Sequence, residues 1–90
     1  KNQMNITVLG QLKFMSEPKE VKGSDGEDHS FKTLWLKTLE DSYIAVNCWD
    51  DLIKKTSSFE LGEIVTLDCK LESHRNKKKP TLFYHKVLLR

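Results

Sequence analysis

Two cysteines in 90 residues are too few for the disulfide framework that holds many small secreted domains together. Cys48 and Cys69 both fall on expected core faces. Two buried free thiols in a cytosolic protein are the expectation, and a bridge between adjacent strands is the alternative. No CxxC pair occurs and the three histidines are scattered, so no metal site is expected. Apolar runs are short, and none approaches the roughly 20 residues that cross a bilayer, so no membrane association is expected. No secretory apolar segment opens the chain, which starts at Lys1 in a way that fits a trimmed start. A glycine-rich phosphate loop is missing, and so is a nucleophile beside a base. No catalytic residues, no enzyme activity and no cofactor are therefore expected. His29, His74 and His85 have no Cys or Ser partner at strand or helix spacing and read as surface or loop residues.

What is present is charge, unevenly spread. The net charge is only +2. Residues 70–90 hold seven Lys/Arg and one acid, a net of +6, while residues 1–69 hold eight Lys/Arg and twelve acids, a net of −4. A basic segment on a nearly neutral chain points to a local polyanion site, and a solvated surface loop is the plainer reading. Residues 1–90 suffice for one core, so a single cytoplasmic domain is expected.

The most informative stretch runs from Phe31 to Trp49. Two segments of period-two alternation flank Glu40-Asp41-Ser42, which predicts a β-hairpin. Successive side chains on a strand point to opposite faces. Leu34 and Leu36 share one face with Ile44, Val46 and Cys48 of the partner strand. If these face the core, the wet face carries Phe31, Trp35, Tyr43 and Trp49 among Thr33, Lys37 and Asn47. Aromatic rings beside cations and amides suit stacking on nucleobases. The alternative is that these rings lie under a partner sheet or a loop.

Around the hairpin, Met4–Phe14 reads as a first strand, with Ile6, Val8, Leu12 and Phe14 on one parity and Leu9 on the other. Gly10 interrupts it, as at a bulge, a bend or a close backbone approach. Residues 15–29 contain Pro18, Gly23, Gly26 and many charges and read as a long mobile loop. After the hairpin, Asp50 is a candidate N-cap for a helix of about two turns, with Asp51 early and Lys54 and Lys55 late. Leu52, Ile53 and Phe59 are expected to plug one end of the fold. Gly62 suits a positive-φ turn. Glu63–Ser73 alternates cleanly as a fourth strand, with Val65, Leu67, Cys69 and Leu71 on one side. His74–Pro80 is a basic loop. Thr81–Leu89 is a fifth strand, apolar on both parities, so its inward side stays open.

Strand, long loop, strand, turn, strand, short helix, strand, basic loop, strand is the order of an OB-fold. The expected fold class is therefore all-β: a five-stranded OB-fold Greek-key barrel with one short helix between strands 3 and 4. That fold presents its ligand on strands 2 and 3, flanked by the loops joining strands 1–2 and 4–5. Here those places hold Trp35, Tyr43 and Trp49, and Arg75, Lys77, Lys78 and Lys79.

At these residues the chain resembles the bacterial and phage single-stranded-DNA-binding protein family. Ile6-Thr-Val-Leu-Gly-Gln-Leu12 is similar to that family's opening strand, and Glu17-Pro18 stands where Asp-Pro-Glu is common. Tyr43-Ile-Ala-Val-Asn-Cys-Trp49 resembles its third strand, and Phe59-Glu-Leu-Gly-Glu-Ile-Val65 its helix-to-strand segment. The similarity covers most of the chain at low identity. It implies base stacking by Trp35, Tyr43 and Trp49, DNA contact by the basic loop, and a homo-oligomer (a dimer or tetramer). The family's disordered acidic tail has no counterpart before Arg90. That fits a tail-less relative from a phage or mobile element, or an accessory protein of primosome type.

The expected function is thus the coating of single-stranded DNA without sequence preference, in replication, recombination or repair alongside the proteins of those pathways. Trp35, Tyr43, Trp49 and Phe31 would stack; Lys37, Arg75, Lys77, Lys78 and Lys79 would meet phosphates; Tyr84 and Lys86 would extend the path. An RNA-binding OB-fold and a protein-interaction module are the alternatives.

Overall fold

The aliphatic parity of the central hairpin turns inward, and the other strands close around it. A computed structural model describes residues 3–90. The chain runs β1 (Gln3–Met15), β2 (Lys19–Lys22), β3 (Asp28–Thr38), β4 (Tyr43–Trp49), a 3-10 helix (Asp50–Thr56), β5 (Ile64–Arg75) and β6 (Phe83–Leu89). The protein is mostly β with one short helix, and all six strands belong to one sheet. Its order is β1-β5-β6-β4-β3-β2, and β1 also pairs with β3. Five strands, β1, β5, β6, β4 and β3, therefore form a closed ring of pairings. Neighbours are antiparallel except β4 and β6, which meet in parallel at Asn47 and Leu88. Among the described residues no helix is long and apolar enough to cross a membrane.

Inside the ring lie Val8, Leu12, Leu34, Leu36, Val46, Cys48, Val65, Leu67, Cys69 and Leu89. Fully burying such a side chain contributes about 1.5–3 kcal/mol against leaving it exposed. Cys48 and Cys69 are free thiols within this core. Burial pushes the pKa of each up to about 11, so both stay protonated at neutral pH. Leu52, Ile53 and Phe59 pack against the same cluster from the helix segment, as expected.

β1 serves two neighbours. Its first half pairs with β5, its second with β3, and Gly10 and Gln11 pair with both. A Cβ at Gly10 would lie 2.8 Å from the Lys37 carbonyl oxygen, so only glycine fits where the ring is tightest. The bulge comes later, at Lys13: Leu12 pairs with Leu36, and Phe14 already pairs with Trp35. Gly62 takes the expected positive φ, 94°. It follows the helix segment and donates its N–H to the Leu12 carbonyl at 2.7 Å, tying that segment back to β1.

Four expectations need correction. The structure has six strands, because the supposed loop at 15–29 contains β2, which pairs with β3 from Lys19–Phe31 to Lys22–Asp28. All four β2 residues are exposed and three are charged, so the segment carries no amphipathic signal. Its order comes from the edge that β3 offers. Second, Asp50 is not the N-cap. Trp49 holds that position without a side-chain bond, and Asp50 has φ 50° and turns its carboxylate toward His29 and Ser30. Third, His74 and Arg75 belong to β5, not to the basic loop. Fourth, Phe14 faces outward.

Candidate nucleic-acid interface

The outward side of β1, β3 and β4 can be read in rows from the strand registers. Gln11, Lys37 and Tyr43 are level; Phe14, Trp35 and Ala45 come next; then Thr33, Asn47 and, across to β6, Leu88; then Lys19, Phe31 and Trp49. Behind this wall lie the buried Leu34, Leu36, Val46 and Cys48. Alternation with these residues thus sets the β3 and β4 rings on the wet side.

The four aromatics expected on this face are there, in two groups. Trp35 is 42 % exposed and Tyr43 58 %, with an edge-to-face contact at 6.3 Å between ring centroids. Phe31 and Trp49 are half-buried and stack on each other, 5.0 Å apart at 26°. That mutual stack leaves each ring one face at most for a ligand. Between the groups, the Thr33 hydroxyl donates to Asn47 Oδ1 at 2.8 Å. Ser16 pins Thr33 from the other side: its N–H donates to the Thr33 carbonyl and its hydroxyl accepts from the Thr33 N–H, both at 2.9 Å.

Phe14 is the residue that sequence reasoning missed. It is 51 % exposed and lies directly across from Trp35. The extra residue at Lys13 reverses the parity of everything after it, so Met15 packs inward and Phe14 outward. The adjacent pair Phe14-Met15 was the available signal, since two neighbouring apolar residues on one strand cannot both face the core.

Lys37 reaches the face but is engaged: its ammonium lies 2.9 Å from Asp41 Oδ1. The Asp41 hydrogen bond, with charge attraction second, raises its pKa above the ordinary lysine value. A phosphate would compete with Asp41 for it.

The basic residues lie on a β5–β6 arm. Only Asn47 and Leu88 join β6 to β4; from Phe83 to Val87, β6 pairs with β5 alone. Tyr84, Lys86 and Leu88 point to the same side as Asn47, so the outward face continues along the arm. His74 and Tyr84 stack at 5.1 Å, and the Lys86 ammonium lies 5.8 Å from the Tyr84 ring. On the arm's other side the Arg75 guanidinium covers Phe83 at 5.2 Å. Tyr84 is 47 % exposed and Phe83 58 %, so the path that Tyr84 and Lys86 were expected to extend is open. The Asn76 side chain shapes the tip by accepting from the N–H groups of Lys78 and Lys79 at 2.9 and 3.1 Å. Lys77, Lys78 and Lys79 form no ion pair among the described residues. With His74, Arg75, Asn76 and Tyr84, the first two of these lysines line an open depression of about 370 Å³.

The structure thus brings Phe31, Trp35, Tyr43, Trp49 and Lys37 onto one wall, sets Arg75, Tyr84 and Lys86 on a projecting arm, and puts Lys77, Lys78 and Lys79 at its tip. Among the described residues no cluster of three or more metal-ligating side chains occurs. The sequence matches no protein-family model, and no curated protein aligns with it significantly.

Proposed function

We propose that the protein binds single-stranded DNA without reading its sequence, in the service of replication, recombination or repair. One observation carries this reading. Trp35 stands exposed between Phe14 and Tyr43 on a wall whose other side is the core, and the same outward face runs on to Tyr84, Lys86 and three lysines that form no ion pair among the described residues. Stacking needs unpaired bases and tolerates any of them, because every base has a π-face. The cations supply the complementary attraction to phosphate, which is salt-dependent and blind to sequence.

The ring order supports an OB-fold reading. With β2 set aside, β1, β3, β4, β5 and β6 pair in the cyclic order of that five-stranded Greek-key barrel, and the helix falls between its third and fourth strands. β2 is then an addition that stiffens the connection between the first two strands. The wall is the surface on which such folds take oligonucleotides.

The test is intrinsic tryptophan fluorescence during titration with oligo-dT at low and high salt. The expected outcome is strong quenching that weakens as salt rises. Unchanged fluorescence at low salt would overturn the reading and leave the aromatic wall as a surface for a protein partner. Equal affinity for oligo-U would make RNA an equal ligand.

A further inference from the structure

We propose that His29 is a positioning residue for the Phe31–Trp49 end of this interface: bridging Asp25 and Asp50, it locks the β2–β3 hairpin to the start of the 3-10 helix and so holds Trp49 over Phe31. The inference rests on the nucleic-acid reading for its consequence and on geometry for its mechanism.

The ladder between β3 and β4 ends at the Phe31–Trp49 pair. One residue later the backbone turns away, with Asp50 at φ 50°, a left-handed conformation that Asp adopts more readily than most non-glycine residues. The Asp50 side chain supplies the missing rung. Its Oδ1 accepts from the Ser30 N–H at 3.0 Å, and its Oδ2 lies 2.9 Å from His29 Nδ1. Ser30 directly precedes Phe31, and Asp50 directly follows Trp49, so this carboxylate fixes both flanks of the ring stack.

The other imidazole nitrogen faces the hairpin tip. His29 Nε2 lies 3.1 Å from Asp25 Oδ2, and Asp25 Oδ1 accepts from the Glu27 N–H at 2.9 Å. The tip closes this tightly because residue 23 has no side chain: a Cβ there would sit 2.7 Å from His29 Cδ2. One ring therefore spans two carboxylates on two separate elements.

Only the imidazolium has an N–H for each carboxylate; the neutral ring has one. The Asp50 hydrogen bond first, and the Asp25 hydrogen bond second, raise the His29 pKa above its ordinary value of 6.5. Both carboxylates are lowered from 3.8, Asp25 chiefly by the Glu27 N–H and Asp50 chiefly by the Ser30 N–H, each with His29 second. Because the histidine is raised, the doubly bonded clamp is complete below 6.5 and is lost as pH rises through the raised value. Because the acids are lowered, it is complete above 3.8 and is lost as pH falls through their lowered values. The charged groups facing the ring are Asp25 from the tip and Asp50 from the helix. Val21, across on β2, carries no charge, and the neighbouring Lys22–Asp28 pair at 3.6 Å compensates itself. When the ring is neutral, Asp50 keeps its Ser30 bond and the Asp25 side of the clamp lets go. Two carboxylates near the stack then lose their shared cation, which disfavours a polyanion there.

The experiment has a ligand-free arm and a ligand arm. In Trp35→Phe protein, Trp49 is the only tryptophan, and its fluorescence is followed against pH beside the His29 proton resonance. The expected result is a Trp49 transition that coincides with His29 titration above 6.5, is abolished in His29→Gln, and moves down in Asp50→Asn. In the ligand arm, wild-type oligo-dT affinity falls on the order of 3- to 10-fold from about pH 6 to about pH 8.5, and His29→Gln is flat at the high-pH level. A His29 that titrates at or below its ordinary value, or a Trp49 signal indifferent to it, overturns the proposal. If no oligonucleotide binds at any pH, the nucleic-acid reading fails, and the ligand-free arm alone decides whether His29 positions Trp49.

Discussion

The aromatic wall of β1, β3 and β4 and the β5–β6 arm carry the same two kinds of group, rings and cations, on different mechanical footings. On the wall, Trp35 lies between the fully buried Leu34 and Leu36, Trp49 follows the fully buried Cys48, and β3 and β4 each have neighbours on both sides. On the arm, Phe83 and Tyr84 sit on a two-stranded hairpin whose residues 83–86 are all exposed. Lys37, beside Trp35 and Tyr43 on the wall, is engaged by Asp41, whereas the three lysines at the arm's tip are free of ion pairs among the described residues. The difference separates two jobs. Stacking demands a fixed geometry and belongs on elements braced by the core. Phosphate attraction acts through space, so mobile cations perform it as well as rigid ones do.

The sharpest way to break this comparison is to remove the bracing. Leu36, between Trp35 and Lys37, is fully buried. Leu36→Ala is expected to cost about 2–5 kcal/mol of stability by denaturant unfolding, while Phe83→Ala on the arm is expected to cost less than about 1 kcal/mol. Equal losses would mean that the arm is as much a part of the core as the wall. Next in size is the loss of a stacking platform. Trp35→Ala is expected to weaken oligo-dT binding by about 1–3 kcal/mol, or about 5- to 150-fold, without changing the salt slope. Phe14→Ala should fall at or below the lower end of that range, since the ring is smaller. The smallest effect at high salt is expected from the tip. Replacing Lys77, Lys78 and Lys79 together by Ala should flatten the salt slope by roughly 0.7 for each phosphate that the tip no longer neutralises, and affinities should converge with wild type as salt rises. A triple variant with an unchanged slope would remove the tip from the ligand path.

Much of the wall was legible in the sequence. Leu34 and Leu36 against Ile44, Val46 and Cys48 established which side of the hairpin is dry, and the polar turn between the two segments established their pairing. The clean alternation of Val65, Leu67 and Cys69 did the same for β5. Legibility stopped where one side chain had to be placed by a partner distant in sequence. β2 is a strand of charged residues that is ordered by the edge of β3. Phe14 changed sides because one bulge at Lys13 shifts a register that periodicity assumes constant. Asp50 looked like a helix cap, yet its oxygens go to Ser30 and His29, which lie 20 and 21 residues earlier.

The sequence by itself determined the β class, the hairpin, the wet aromatic face and the basic segment, because alternation and charge are local properties that burial merely selects. Tertiary structure alone decided the closed ring, the sixth strand, the outward turn of Phe14 and the inward side of β6. Thr81–Leu89 is apolar on both parities, so nothing local distinguishes them. Its pairing of Cys69 with Leu89 turns Leu89 into the core, and its single parallel bridge turns Leu88 toward Asn47. Those choices depend on which strand comes to lie alongside, and that is a property of the whole packed ring rather than of any one segment.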